Sequence, residues 1–136
     1  MGVDPVAISR SALDVEWQRM QVVAQNIANQ GTSRVGGGGA YRPMQVVSGP
    51  AGMFGSLVEP GGVRVVAIEA RQGGVRRAYD PGHPDADRDG FVAMPDISPA
   101  AEMALLVKTA RVYESNLTAL SLAQQMSMRA LELGTK

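Results

Sequence analysis

Residues 98–134 read SPAAEMALLVKTARVYESNLTALSLAQQMSMRALELG, and their punctuation predicts one long helix from about Pro99 to Leu133. Ser98 can accept from the free N–H groups of the first turn, Pro99 suits the first helical position, and Glu102 sets negative charge near the positive end of the dipole. Gly134 is expected to close the helix in a left-handed conformation, with Arg129 near the end that favours positive charge. Between these signals Met103, Leu106, Ala110, Tyr113, Leu117 and Leu120 recur at spacings of three and four, the apolar seam of a coiled coil. The same register then puts Gln124 and Ser127 in the seam, while Ala123, Met126, Ala130 and Leu133 form a displaced stripe, as an insertion in the heptad would produce. At 1.5 Å per residue such a helix is about 50 Å long, roughly twice the diameter of a domain this size, so it extends beyond its own globule.

Asp4 and Pro5 repeat the cap-then-proline start, and Gly31 is expected to end a second helix of about 26 residues. Leu13, Trp17, Met20, Ala24 and Ile27 keep the four-three alternation along it, while Ile8, Ala12, Val15 and Val22 make a second apolar line on another face. One partner helix cannot cover both lines. Either a wide face packs on the C-terminal helix, or the helix lies between several neighbours in an assembly, and the two lines favour the second.

Residues 31–96 hold fourteen of the sixteen glycines and six of the eight prolines, a composition that nearly excludes helix. Valine-rich runs at Met44–Ser48, Val63–Ala70, Val75–Tyr79 and Phe91–Met94 predict short strands of a small antiparallel insertion, with Gly73 and Gly74 as a two-residue hairpin turn. The run Gly36–Gly39 is expected to be flexible. It is no phosphate cradle, since no Lys-Ser or Lys-Thr pair and no helix start follow it. The fold class is therefore mainly α: residues 1–30 as an N-terminal helix, 31–97 as a Gly/Pro-rich, irregular β-type insertion, and 98–136 as the C-terminal helix.

The totals narrow the function. Six aromatics (Trp17, Tyr41, Phe54, Tyr79, Phe91 and Tyr113) give few large anchors for a compact core. Thirteen basic and thirteen acidic residues balance to zero with no basic run, which disfavours nucleic acid and acidic membranes as partners. Cysteine is absent, which removes disulfides, thiolate zinc sites and cysteine nucleophiles. No cleavable secretory signal is visible, and no apolar run approaches the roughly 20 residues that span a bilayer.

Asp85, Asp87, Asp89 and Gly90 match the first half of a calcium-binding EF-hand loop. Asp96 stands where the bidentate glutamate belongs, Pro95 precedes it, and prolines occupy the place of the entering helix, so a solvated aspartate-rich turn is the simpler reading. His83, the only histidine, has no cysteine or second histidine for a zinc set, and a serine–histidine–aspartate triad would rest on residue types alone. No catalytic residue, cofactor fingerprint or enzyme activity is indicated.

The run Ala12-Leu13, Gln18-Arg19-Met20, Val22-Val23-Ala24 and Asn26-Ile27-Ala28-Asn29 resembles the N-terminal signature of the axial proteins of the bacterial flagellum, the rod and hook family. Tyr79-Asp80-Pro81-Gly82-His83-Pro84-Asp85-Ala86-Asp87 with Gly90-Phe91-Val92-Ala93-Met94-Pro95 is similar to the stretch that marks a proximal rod member. Ala110-Arg111-Val112-Tyr113-Glu114-Ser115-Asn116 completes the likeness, which covers nearly the whole chain. Gln30-Gly31-Thr32-Ser33 and the four glycines depart from the family's usual threonine-proline-glycine-tyrosine turn.

The resemblance implies a structural subunit of the basal-body rod, whose terminal helices pack into a helical tube that carries torque. It implies partnership with itself, other rod subunits and the flagellar type III export apparatus, and a periplasmic location reached without a cleaved signal. The expected interface anchors are Leu13, Trp17, Met20 and Ile27 on the first helix and Leu106, Tyr113, Leu117 and Leu120 on the second. Arg19, Asn26, Asn29, Asp80, Pro81, Gly82, His83, Arg111 and Glu114 are the positions carried by the family motifs. Competing readings are a calcium-responsive binding module on Asp85, Asp87 and Asp89, and a coiled-coil adaptor with the insertion as a linker.

Overall fold

A computed structural model of the chain describes residues 4–52 and 61–135. In chain order the elements are helix α1 (Pro5–Ala28), strands β1 (Met44–Pro50), β2 (Val63–Ala70), β3 (Val75–Tyr79) and β4 (Phe91–Pro95), and helix α2 (Pro99–Gly134). Phe54 lies outside the described residues.

Both helices begin where their caps direct. The Asp4 carboxylate accepts from the Val6 N–H at 2.9 Å and the Ser98 hydroxyl accepts from the Ala101 N–H at 3.4 Å, each followed by a proline in the first turn. Their ends differ from expectation. Helix α1 stops at Ala28 rather than Gly31, because Asn29 caps it: its backbone N–H and its side-chain Nδ2 both donate to the Gln25 carbonyl. Gly134 stays within α2, no left-handed glycine closes that helix, and Thr135 follows in right-handed geometry.

The helices run antiparallel. Asn26 meets Glu102, and the rings of Trp17 and Tyr113 lie 6.4 Å apart at 49°. Continued at that register, Pro5 falls beside about Gln125, so the last ten or so residues of α2 overhang the pair by about 15 Å. On a different side of α1, the β1–β2 hairpin follows the helix back towards its start: Asn26 bonds Met44, Arg19 bonds Ser48, and Ser11 bonds Val63. Those contacts share the face of Ile8, Ala12, Val15 and Val22. The second apolar line of α1 is therefore covered by the chain's own hairpin, which corrects the expectation that neighbouring subunits are needed to cover it.

The predicted seam of α2 is also corrected, by a rotation. Its inward line runs through Glu102, Leu106, Thr109, Tyr113, Asn116, Leu120 and Ala123, all buried or half-buried, still at alternating four and three. Met103 and Leu117 are half-exposed at 53% and 50% and flank that line. Because Ala123 continues the spacing, no insertion-type break precedes it.

Two antiparallel two-stranded sheets make up the middle of the chain, β1 with β2 and β3 with β4. A bulge at Val47/Ser48 shifts the register of the first. Gly73 and Gly74 do not close a hairpin, since β2 and β3 are not paired; they carry the chain from one sheet to the other. Gly73 takes φ +80°, and a side chain on Gly74 would stand 3.0 Å from the Pro43 ring. The Gly36–Gly39 run, expected to be flexible, forms a hydrogen-bonded turn: Gly38 N–H donates to the Val35 carbonyl and Val35 N–H to that of Gly39. The accessible surface of the chain is 9517 Å², against roughly 6,800 Å² for a compact monomer of this mass.

Candidate functional site

Where α1, β1 and the first turn of α2 meet, a polar clamp is buried. Asn26 is fully inaccessible, and both ends of its amide are engaged: Nδ2 donates to the Met44 carbonyl at 2.9 Å and lies 3.4 Å from a Glu102 oxygen, while Oδ1 accepts from the Met44 N–H and the Tyr41 hydroxyl, each at 2.9 Å. Glu102, 3% exposed, pairs through its other oxygen with Arg71. A buried carboxylate persists only when it is paired and hydrogen-bonded, and here an arginine and an amide do both. Burial pushes the Tyr41 phenol above its ordinary pKa, and the Glu102 charge pushes it further, against a smaller pull from Arg71. The clamp joins both helices to the hairpin. Of its members, Asn26 is carried by a family motif and Glu102 is visible as a helix-start charge; Tyr41 and Arg71 leave no signal in the sequence, since nothing in their neighbourhoods marks them.

The eight expected interface anchors divide into two groups. Leu13 is buried, and Met20, Ile27, Leu106, Tyr113 and Leu120 are half-buried on the sides that the helices turn towards each other. Trp17 (54% exposed) and Leu117 point past the helix contact, on the side away from the hairpin. With Met103 and Val107 they form an apolar flank that nothing among the described residues covers. The overhang adds Met126, Met128, Leu131 and Leu133, all exposed.

The remaining motif positions have local roles. Arg19 pairs with Glu16 and donates to the Ser48 hydroxyl at 3.1 Å, tying α1 to β1. Asn29, besides capping α1, accepts from the Thr32 hydroxyl. In the loop of residues 80–90, Asp80 N–H donates to the Gly90 carbonyl and His83 N–H to that of Asp80, with Pro81 and Gly82 making the bend between them. Gly90 has φ +82°, and a side chain there would meet the Tyr79 ring at 3.0 Å and Pro81 at 3.2 Å. Arg111 and Glu114 are exposed on α2.

Two aspartates of that loop, Asp85 and Asp87, are engaged by donors of their own chain. Asp85 accepts from the Ser33 hydroxyl at 2.7 Å and pairs with Arg34 at 2.8 Å; its N–H donates to His83 Nδ1. Asp87 accepts from the N–H groups of Asp89 and Phe91 at 2.9 Å and pairs with Arg77 at 2.8 Å. The Ser33 bond leads in lowering the Asp85 pKa, and the Phe91 N–H leads for Asp87. Arginines stand where a cation would. Among the described residues no three His, Asp or Glu side chains converge as a metal set. The loop works as a latch, with Asp85 holding the second sheet to the segment that leaves α1.

A family model for the flagellar basal body rod FlgEFG protein C-terminal region matches residues 88–133, the stretch from the aspartate loop through most of α2. The sequence is 36% identical to the flagellar basal-body rod protein FlgC of Bacillus subtilis, covering 93% of this chain and 94% of that one. It is 33% identical to the FlgC of Salmonella typhimurium over 93% of each chain, and 34% identical to that of Aquifex aeolicus over 92% and 91%. Likeness on this scale takes in both helices, the clamp and the aspartate latch together, and the chain belongs to the family of flagellar basal-body rod proteins FlgC.

Proposed function

We propose that the chain is a structural, non-enzymatic subunit of the proximal rod of the flagellar basal body. It assembles with itself and with other rod subunits by helix packing, as a coiled-coil-like layer of the axial shaft. The observation that carries this reading is the uncovered apolar flank of Trp17, Met103, Val107 and Leu117, continued by the α2 overhang. Such surface is unfavourable on a lone monomer and suits a helix packed among neighbours. In this reading residues 1–30 and 98–136 form the rod core and the Gly/Pro-rich residues 31–97 lie outside it. The chain passes the inner membrane unfolded through the flagellar type III export apparatus and works in the periplasm without a cleaved signal. No helix among the described residues is long and apolar enough to cross a membrane, so anchoring by such a helix has no support there.

A coiled-coil adaptor with a passive linker fits less well, because the hairpin packs along α1 and is clamped to both helices. A calcium module is disfavoured by the arginines that already pair with Asp85 and Asp87. Purified basal bodies from cells producing an epitope-tagged chain provide the test. The proposal expects the tag at the membrane-proximal end of the rod, and its absence from the particles would overturn it.

A further inference from the structure

Glu102 enters the contact between the helices as a charge that the helices alone do not answer. Among the described residues its carboxylate has two side-chain partners: Asn26 of α1, neutral and 3.4 Å away, and Arg71, which follows β2. Arg19 of α1 lines the same cavity of about 380 Å³ as Glu102 and Arg71, but it pairs with Glu16 and donates to the Ser48 hydroxyl. At 3% exposed, Glu102 has little water to replace a missing partner.

Arg71 is delivered to Glu102 by the closed hairpin. Met44 pairs with Ala70 at the base of the hairpin, and beyond that pair the Arg71 N–H donates to the Pro43 carbonyl at 2.8 Å. Asn26 grips the same strand end through the Met44 N–H and carbonyl. Past Arg71, the Gly74 carbonyl accepts from the Asp96 N–H at 3.0 Å, so the segment that enters α2 is tied to the same base. The guanidinium is thus placed by the pairing of β1 with β2, although 31 positions of sequence separate it from the carboxylate it neutralises.

We propose that the β1–β2 hairpin gates the pairing of the two helices, with Arg71 as its key. Before the hairpin closes, docking α2 on α1 buries the Glu102 charge unpaired; afterwards it buries an ion pair. Stranding one partner of a buried pair costs far more than the pair itself contributes, so the gate penalises early docking and adds little strength to the finished contact. The flank that Trp17 and Leu117 share across the two helices then exists only in a chain whose hairpin has closed. The gate is a property of the isolated chain and stands apart from the rod reading.

The test is hydrogen exchange of the purified chain at neutral pH, read by mass spectrometry. Arg71→Leu removes the neutralising charge, and amide exchange over residues 99–120 of α2 should rise by more than about tenfold and reach about 100-fold. Arg71→Leu/Glu102→Leu removes both charges, and exchange in that stretch should return to within about tenfold of the unsubstituted chain. A rise below about tenfold in the single variant overturns the gate. So does a double variant that stays more than about tenfold above the unsubstituted chain, because the arginine would then act through packing and not through the charge of Glu102. Where Arg71→Leu is unfolded outright, a folded double variant supports the gate and an unfolded one overturns it. Pulsed exchange during refolding from urea supplies the second measurement: amides of β1 and β2 should gain protection before or together with those of α2, and α2 protected ahead of them overturns the gate.

Discussion

Leu117→Asp separates folding from assembly, because Leu117 is half-exposed in the subunit. Fully burying a leucine contributes about 1.5–3 kcal/mol, so the half already buried contributes about 1 kcal/mol, and the loss of helix propensity adds about 0.5 kcal/mol. The isolated subunit should therefore lose about 1.5 kcal/mol, a fall of roughly 5–10 °C in Tm for a chain of this size. In a packed helix layer the same change removes the remaining leucine burial and places an unpaired carboxylate between helices, which costs several kcal/mol more at every copy. Circular dichroism of the purified variant should show a folded protein with a modestly lowered melting point. Cells should export it across the inner membrane yet build no hook or filament and fail to spread in soft agar. Val66→Asp, on the exposed face of β2, is the matched control and should swim. Normal basal bodies and swimming in the Leu117 variant would refute the reasoning. An isolated variant that is unfolded at growth temperature would refute it as well, because the defect would then lie in folding.

Asn26→Leu should cost more in the isolated subunit than Leu117→Asp, about 2–5 kcal/mol by urea unfolding, since it strands the part-buried Met44 N–H and Tyr41 hydroxyl and takes the amide from the buried Glu102; a loss below about 1 kcal/mol would remove the clamp from the account. Stability should fall at both extremes of pH. Asp85 and Asp87, whose folded pKa values lie below the ordinary 3.8, contribute stability that is present above that value and lost as pH drops below it. Tyr41, raised above 10.0, contributes stability that is present below pH 10.0 and declines as pH climbs past it, and Tyr41→Phe should flatten the alkaline limb of a melting-point series. Limited trypsin digestion of the dilute monomer should cut first at Arg129 in the overhang, where α2 packs on none of the described residues; first cleavage in the covered stretch of α1 would contradict the antiparallel register. Calcium should leave the melting point unchanged, and a rise abolished by Asp87→Ala would restore the binding-module reading.

Local punctuation carried much of the fold. Asp4-Pro5 and Ser98-Pro99 start the helices where expected, and glycine and proline bound four strands close to their predicted limits, because these residues act on the backbone within a few positions. The seam of α2 was legible in period but not in phase. Leu106, Tyr113 and Leu120 do face α1, and Ala110 is half-buried beside them; Glu102 and Asn116, however, lie on the inward line where Met103 and Leu117 were expected. Apolar counting selects Met103 and Leu117, and only the clamp explains how a glutamate comes to lie inside. That clamp draws Asn26, Tyr41, Arg71 and Glu102 from separate parts of the chain, and no spacing rule reaches across such separations. The pairing of β3 with β4 was hidden for a similar reason. A Gly-Gly turn predicts that its flanking strands pair, and here the close approach of Gly74 to Pro43 redirects the chain instead.

The mixture of polar and apolar residues on the inward line of α2 has a physical consequence for the rod. Glutamate, threonine and asparagine share the line facing α1 with Leu106, Tyr113, Leu120 and Ala123, while Met103, Val107 and Leu117 stand on the flank beside it. Polar groups inside fix the register of the two helices, because slipping one turn would leave Asn26 and Glu102 buried without partners, at a cost of about 1–3 kcal/mol each or more for the charge. Apolar groups outside keep about half of their own burial unrealised, about 1 kcal/mol for each half-exposed side chain. Register is thus settled within the subunit, and on the proposed rod reading the flank is left to contacts between subunits. A chain with the reverse arrangement would gain a more stable monomer, lose the clamp that orients the hairpin on both helices, and offer its neighbours little surface to hold.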